Sequence, residues 1–324
     1  MNRVLISSSF FSVVLGLCGL GSAWRAAVYL WHLPSLIGEA VMVAATVVWL
    51  LLLLYGLWVT FEQRHHFMEQ LRLPIAAGTM ALPGVATLLM VQTMKPWSLP
   101  LAWAVLAVGL IWHVAFAVWH TGALWQGGHS AEQLNPTLYL PTVAGNLTAA
   151  GALGAMGQTD WAWLFLGAGI CSWLALEPLI LRRLWHEKMM PLAQRPTLGI
   201  QFAPPAVAAA AIFVIEPSTP APLLCMLVGY AVFQSLSALR IAGWSLSERF
   251  APAWWSWTFG LASVTTASIK LSALNVGPAH LIALPLFVIA NLFIGWLFIR
   301  TLLWLFHAFR QPPAPVKSAG LPKS

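Results

Sequence analysis

The sequence reads "LYLPTVAGNLTAAGALGAMG" from Leu138 to Gly157 and "DWAWLFLGAGICSWLALEPLILRRL" from Asp160 to Leu184. Each stretch is long and apolar enough to cross a bilayer, which takes about 20 residues in a helix. Gly, Ala, Ser and Thr make up 11 of the 20 residues in the first stretch, but only 6 of the 25 in the second. Small residues let helix backbones approach closely, whereas bulky apolar ones suit a lipid-facing surface. The pair therefore predicts a helical hairpin with one inner and one outer helix.

The same alternation extends along the whole chain and predicts an all-α polytopic membrane protein. The predicted spans are 6–31, 35–60, 74–94, 99–120, 138–157, 160–184, 197–216, 221–244, 252–273 and 279–308. Small residues account for 51 of 109 positions in the odd-numbered spans and for 34 of 127 in the even-numbered ones. Pro83, Pro141 and Pro204 recur near the starts of odd spans, at steps of about sixty residues, which favours a repeated hairpin. We expect an inner ring of five odd helices forming a pore, wrapped by five even helices.

Composition limits the class of protein further. Hydrophobic residues make up 60 % of the chain and charged residues 8 %, against about a quarter in soluble domains. This excludes a cytosolic enzyme and a nucleic-acid binder, and we expect no enzyme activity. Residues 1–310 are predicted to form a single transmembrane domain, and residues 311–324 a disordered basic tail. His113 and His120 share one face of the fourth span, but no matching ligands accompany them, so we expect no haem, other cofactor or metal site.

The basic residues predict the orientation of the chain. If both termini are cytoplasmic, 13 of the 16 Lys and Arg residues lie inside, as the positive-inside rule requires. Arg25, Lys95 and Lys270 then lie outside, near the outer ends of the first, third and ninth spans. One interpretation is that they ring the outer mouth of a pore and concentrate anions there. The alternative is that they offset the helix dipoles at these C-termini.

Three further stretches carry a resemblance to a known family. Leu124–Leu184, "LGIQFAPPAV" (Leu198–Val207) and "WSWTFGLAS" (Trp255–Ser263) resemble segments of the tellurite-resistance/dicarboxylate transporter family, and the similarity runs in order over about residues 5–310. That family includes the slow-type guard-cell anion channels of plants. The resemblance implies five hairpins in quasi-fivefold symmetry, a homotrimer with one pore per subunit, and small anions as the transported species. It also implies a bacterial inner-membrane location, a role in tellurite resistance and, as a possible partner, a methyltransferase from the same operon.

The resemblance implies a gate as well. It places a pore-closing phenylalanine at Phe259, beside Gly260, which would leave the ring room to move. Residues of types that suit an anion path, with hydroxyl, amide or freed backbone groups, are predicted to face the pore; these are Pro83, Pro141, Asn146, Pro204, Pro205, Thr265 and Thr266. For Asn146 an interhelical hydrogen bond is an equal alternative.

Glu177, the one carboxylate well inside a span, leaves two functions open. If it pairs with Arg182 or another basic residue, its role is structural; a gated anion channel is favoured in any case by an inner ring of small residues with almost no buried charge. If it carries protons, the chain is a proton-coupled exporter of dicarboxylate, sulfite or tellurite-type oxyanions.

Overall fold

The computed structural model describes residues 7–62, 74–247 and 250–310, and all regular structure in these ranges is helical. The predicted tail, residues 311–324, lies outside the described residues. We number ten helices in chain order from α1 to α10: Phe11–Trp31, Ser35–Glu62, Leu82–Met94, Leu99–Trp125, Gly145–Ala155, Thr159–His186, Ala203–Ile215, Ala221–Ser245, Ser256–Ala273 and Gly277–Arg310. The prediction of ten helices in five hairpins is confirmed.

Eight of the helical stretches in the described part of the chain are long and apolar enough to cross a membrane. The other two are α5 and α9. The span predicted over 138–157 is interrupted: a π-helical segment, Leu140–Ala144, with Pro141 in its first turn, precedes α5. Helix α9 is rich in Ser and Thr, and 14 of its 18 residues are buried. Both helices are enclosed by protein, so neither needs the apolar surface that lipid demands.

The odd helices form a closed ring. Helix α1 contacts α3, α3 contacts α5, α5 contacts α7, α7 contacts α9, and α9 contacts α1 again. Each even helix packs against the odd helix before it and the odd helix that follows it in the ring, so that α10 closes onto α1. Burial follows this order: 61 to 83 % of residues are buried in the spans of α1, α3 and α7, but only 17 to 33 % in the even helices.

The two ends of the bundle differ. At one end, three to five residues join each odd helix to the next even one, and we call this the hairpin end. At the opposite end, which we call the terminal end, α1 begins and α10 finishes. Here a short helical segment precedes every odd helix; these segments are Ser8–Phe10, Pro74–Thr79, Pro136–Leu138 with Leu140–Ala144, Leu192–Ile200 and Pro252–Trp255. All five hairpins thus repeat the same plan of a broken lead-in, an inner helix, a tight turn and an outer helix.

The closest helix contact in the ring lies between α1 and α9. A Cβ placed on Gly16 would stand 2.2 Å from Thr258 Oγ1, and one placed on Gly19 would stand 2.7 Å from the Cβ of Ala262. Two glycines three residues apart on one face of α1 therefore bring the two backbones together, as small residues do in membrane bundles.

Candidate functional site

Two cavities lie inside the ring, one towards each end. The cavity at the hairpin end has a volume of about 320 Å³, and the one at the terminal end about 210 Å³. All five odd helices contribute to the first, and the second is lined by α1, α3, α9, the first residue of α7 and the lead-in segments. Both linings are mostly small, apolar or hydroxyl-bearing. The hairpin-end cavity is lined by Gly19, Ser22, Arg25, Ala26, Tyr29, Leu89, Gln92, Leu147, Thr148, Gly151, Val207, Ala210, Ala211, Val214, Phe259, Ser263, Thr266, Ile269, Lys270 and Ala273.

Among the residues that the structure describes, Phe259 alone lines both cavities. Its side chain is 9 % exposed and packs against α1, where a Cβ on Gly19 would lie 3.5 Å from its Cδ2. The benzyl group therefore stands between the two spaces on the inside of the ring. An apolar ring at a constriction denies a permeating ion the water it would need there.

Gly260 faces a different neighbour. A Cβ at this position would stand 2.5 Å from Cε2 of Phe202 and 3.4 Å from Cα of Ala203. The missing side chain therefore allows α9 to approach the start of α7. Gly260 thus has a packing role between α9 and α7. The room for movement of the Phe259 ring that was expected beside Gly260 stays a prediction.

The residues predicted to face the pore separate into different environments. Thr266 lines the hairpin-end cavity. The hydroxyl of Thr265 instead donates to the carbonyl oxygens of Leu261 and of Leu286 on α10, at 2.7 and 3.3 Å, and so faces the outer layer.

The four prolines line neither cavity. They lie in the first turn of α3 and of α7 and in the π-helical segment before α5; they are Pro83, Pro141, Pro204 and Pro205. Proline is tolerated at such positions because the first N–H groups of a helix have no partner within it. The regular proline spacing thus reflects the starts of the inner helices.

Asn146 also lies outside the ring interior. His113 Nε2 donates to its Oδ1 at 2.9 Å, and its Nδ2 donates to the Thr142 carbonyl at 2.6 Å. These groups form part of an apolar groove of about 510 Å³ between α4, α5 and α6. The structure therefore places Asn146 in the interhelical hydrogen bond that was the alternative to pore lining. No cluster of three or more potential metal ligands occurs among the described residues.

The three predicted outer cations differ in their surroundings at the hairpin end. Arg25 lines the cavity, but it forms a two-pronged ion pair with Glu39, at 2.8 and 2.9 Å, and donates to the Gln92 carbonyl at 2.7 Å. Lys95 is exposed, donates to the carbonyl of Ala155 at the end of α5, and does not line the cavity. Lys95 thus contacts the C-terminus of the neighbouring helix α5, and the role predicted for it at the end of its own helix α3 stays a prediction.

Lys270 is the remaining cation of this set. It lines the hairpin-end cavity, and its Nζ lies 5.5 Å from the centroid of the Phe213 ring. No carboxylate in the described part of the chain forms an ion pair with it. A cation over an aromatic face is attracted by the ring without a counter-charge. Lys270 therefore provides the uncompensated positive charge of this cavity.

Glu177 has no basic partner within the described ranges, so the pairing expected with Arg182 or another cation does not form. Four neutral groups donate to its carboxylate instead: Tyr139 Oη at 2.5 Å and Trp173 Nε1 at 2.9 Å to Oε2, and Gln234 Nε2 at 2.9 Å and Tyr230 Oη at 3.2 Å to Oε1. Tyr139 Oη in turn accepts from Gln201 Nε2 at 3.2 Å. The network joins α6 and α8 to the lead-in of α5 and the start of α7, and Glu177 lines neither cavity.

Several residues that matter here escaped the sequence interpretation. Gly19, Gln92 and Phe213 shape the hairpin-end cavity or its charges. The three-residue spacing of Gly16 and Gly19 was a usable signal for the close contact of α1, since small residues at such spacing mark helix interfaces. Gln92 is the one amide side chain in its span, which was a usable signal, whereas no sequence signal distinguishes Phe213 from the other apolar residues of its span.

A ring of five helix hairpins, enclosing two cavities separated by one aromatic side chain, defines a multi-pass membrane protein built around an internal path. The sequence profile of the SLAC1 family, described as "Voltage-dependent anion channel", matches residues 6–302, and the chain belongs to this family. The chain is 29 % identical over 302 residues to the "Tellurite resistance protein TehA homolog" of Haemophilus influenzae, which covers 92 % of this chain and 90 % of that protein. It is also 27 % identical over 177 residues to the "Guard cell S-type anion channel SLAC1" of Arabidopsis thaliana, which covers 54 % of this chain and 31 % of that protein.

Proposed function

We propose that this chain is a gated channel for small anions, and that the side chain of Phe259 closes it. The observation that carries the proposal is the position of Phe259 as the one residue shared by both cavities. The apolar lining and the uncompensated charge of Lys270 support an anionic rather than a cationic passenger, because a positive charge at a mouth raises the local anion concentration.

The proposal also covers the orientation of the chain, its membrane and its assembly. The terminal end faces the cytoplasm of a bacterium, the hairpin end faces outwards across the inner membrane, and three copies assemble with one pore each. The distribution of Lys and Arg supports the orientation. The relative named for tellurite resistance supports a role in that phenotype, with an operon-encoded methyltransferase as a possible partner.

Anion current through Phe259→Ala tests the proposal. Removing the ring joins cavities of about 320 and 210 Å³, and we expect the current to rise about tenfold or more, which corresponds to a barrier lowered by about 1.4 kcal/mol. Phe165→Ala is the matched control, because Phe165 lines the outer groove and neither cavity. Equal currents in the wild type and Phe259→Ala, at equal membrane levels, would refute closure by this ring.

The second candidate function is proton-coupled export of an oxyanion, and the buried carboxylate of Glu177 is the observation in its favour. Against it, all four donors to Glu177 are neutral, and neither cavity reaches the carboxylate. Proton-driven uptake that Glu177→Gln abolishes, together with an unchanged current in Phe259→Ala, would establish the carrier in place of the channel.

A further inference from the structure

Two cationic side chains line the hairpin-end cavity, and one of them pairs with a carboxylate on an outer helix. Arg25 and Lys270 line the cavity, whereas Glu39 lies on α2 and reaches only Arg25. Among the described lining residues, Tyr29 is the only other ionisable group. Among the described lining residues, Lys270 is therefore the cation without a carboxylate partner, because the Arg25–Glu39 pair sums to zero.

The ion pair is open to water, since the side chains of Arg25 and Glu39 are 28 and 30 % exposed. Arg25 also has a second anchor, the 2.7 Å hydrogen bond from its Nη1 to the Gln92 carbonyl on α3. Without the carboxylate, that hydrogen bond would hold the guanidinium at the cavity wall, where its charge would act on any anion inside.

We propose that Glu39 is a specificity-determining residue: by cancelling Arg25, it limits the cavity to one net positive charge and so favours monovalent over divalent anions. This inference rests on the proposed anion channel. An additional fixed charge attracts a divalent anion twice as strongly as a monovalent one. For an anion in the cavity at about 7.5 Å from an unpaired guanidinium, with water between them, Coulomb's law raises the local concentration about 2.5-fold for a monovalent and about sixfold for a divalent anion. Loss of Glu39 therefore shifts the balance towards divalent anions.

The test uses full-length protein carrying Phe259→Ala, so that current is measurable in every variant. Reversal potentials with chloride on one side and sulfate on the other give the permeability ratio of the two ions at low ionic strength. We expect Glu39→Gln to raise the ratio of sulfate to chloride about 2.5-fold. Asp160→Asn is the matched control, since Asp160 is an exposed carboxylate in the first turn of α6, also at the hairpin end, and we expect it to leave the ratio unchanged.

A second variant separates charge from structure. The double variant Arg25→Gln with Glu39→Gln removes the pair but keeps the net charge, and we expect it to restore the starting ratio. An unchanged or lower sulfate preference in Glu39→Gln, or the same shift in the double variant, overturns the role of Glu39. Absence of any anion current in Phe259→Ala is a different outcome, and it overturns the proposed channel itself.

Discussion

Replacing Glu177 by leucine tests whether the buried network stabilises the bundle. In a membrane protein, a carboxylate without a cation could be a liability whose replacement by an apolar residue is neutral or stabilising. The structure predicts the opposite for Glu177→Leu. Its four donors would lose their acceptor, and two of them, on Tyr139 and Trp173, have side chains that are 0 and 6 % exposed.

The magnitude follows from those two buried donors. A buried donor left without a partner costs about 1–3 kcal/mol, so Glu177→Leu should lower the free energy of unfolding by about 2–6 kcal/mol. At roughly 2 °C per kcal/mol for a chain of this size, the melting temperature should fall by about 4–12 °C. Glu177→Gln should cost less, about 1–2 kcal/mol, because its amide oxygen can serve Tyr139 and Trp173 while Tyr230 and Gln234 reorient towards the new N–H group.

Thermal unfolding of the purified protein in detergent measures both effects, followed by the fluorescence of a thiol-reactive dye or by the loss of helical circular dichroism. Glu216→Gln is the control, because Glu216 is a partly exposed carboxylate beyond the end of α7 whose donors among the described residues are the N–H and hydroxyl of Ser218. A melting temperature of Glu177→Leu within about 2 °C of the wild type, or above it, would refute the argument. The four donors would then contribute no net stability through this carboxylate.

Two further changes test the packing of the ring and the charge of its cavity. Gly16→Ala places a Cβ 2.2 Å from Thr258 Oγ1, so it should separate α1 from α9 and cost about 1–3 kcal/mol by thermal unfolding. Gly167→Ala, on the open face of α6 with no atom within 4 Å, should be neutral or stabilising, and equal melting temperatures of the two variants would contradict the close contact. Lys270→Ala, in protein that also carries Phe259→Ala, should lower anion conductance about 2.5-fold in dilute salt. The difference should vanish near 1 M salt, where the Debye length is about 3 Å, and a loss that persists at 1 M would show that Lys270 acts through packing.

The regular spacing of prolines in the odd spans marks where the inner helices begin, and it does not mark a pore surface. The prolines of odd spans recur because each inner helix begins after a broken lead-in, where proline costs no hydrogen bond, and their side chains line neither cavity. The proline positions thus predicted where the inner helices begin, but the prolines do not lie on the surface of either cavity.

Polar side chains within the spans were the hardest to place from sequence. Asn146 bonds to His113 on a neighbouring helix, and Thr265 faces α10, whereas Thr266, the next residue, reaches the cavity. A helical periodicity locates a face only when one face is polar and the other apolar. The inner helices are apolar or small all round, because they are buried on every side, so the pattern gives no direction.

The sequence by itself determined the number of spans, their order and the division into inner and outer helices, because contact with lipid demands bulky apolar residues and close packing inside a bundle demands small ones. Only the tertiary structure decided that Arg25 is cancelled by Glu39, that Lys270 lies over the Phe213 ring without a carboxylate partner among the described residues, and that Phe259 lines both cavities. These relations join different helices, and their distances depend on how α1, α2, α7 and α9 pack, which no local pattern of residues encodes.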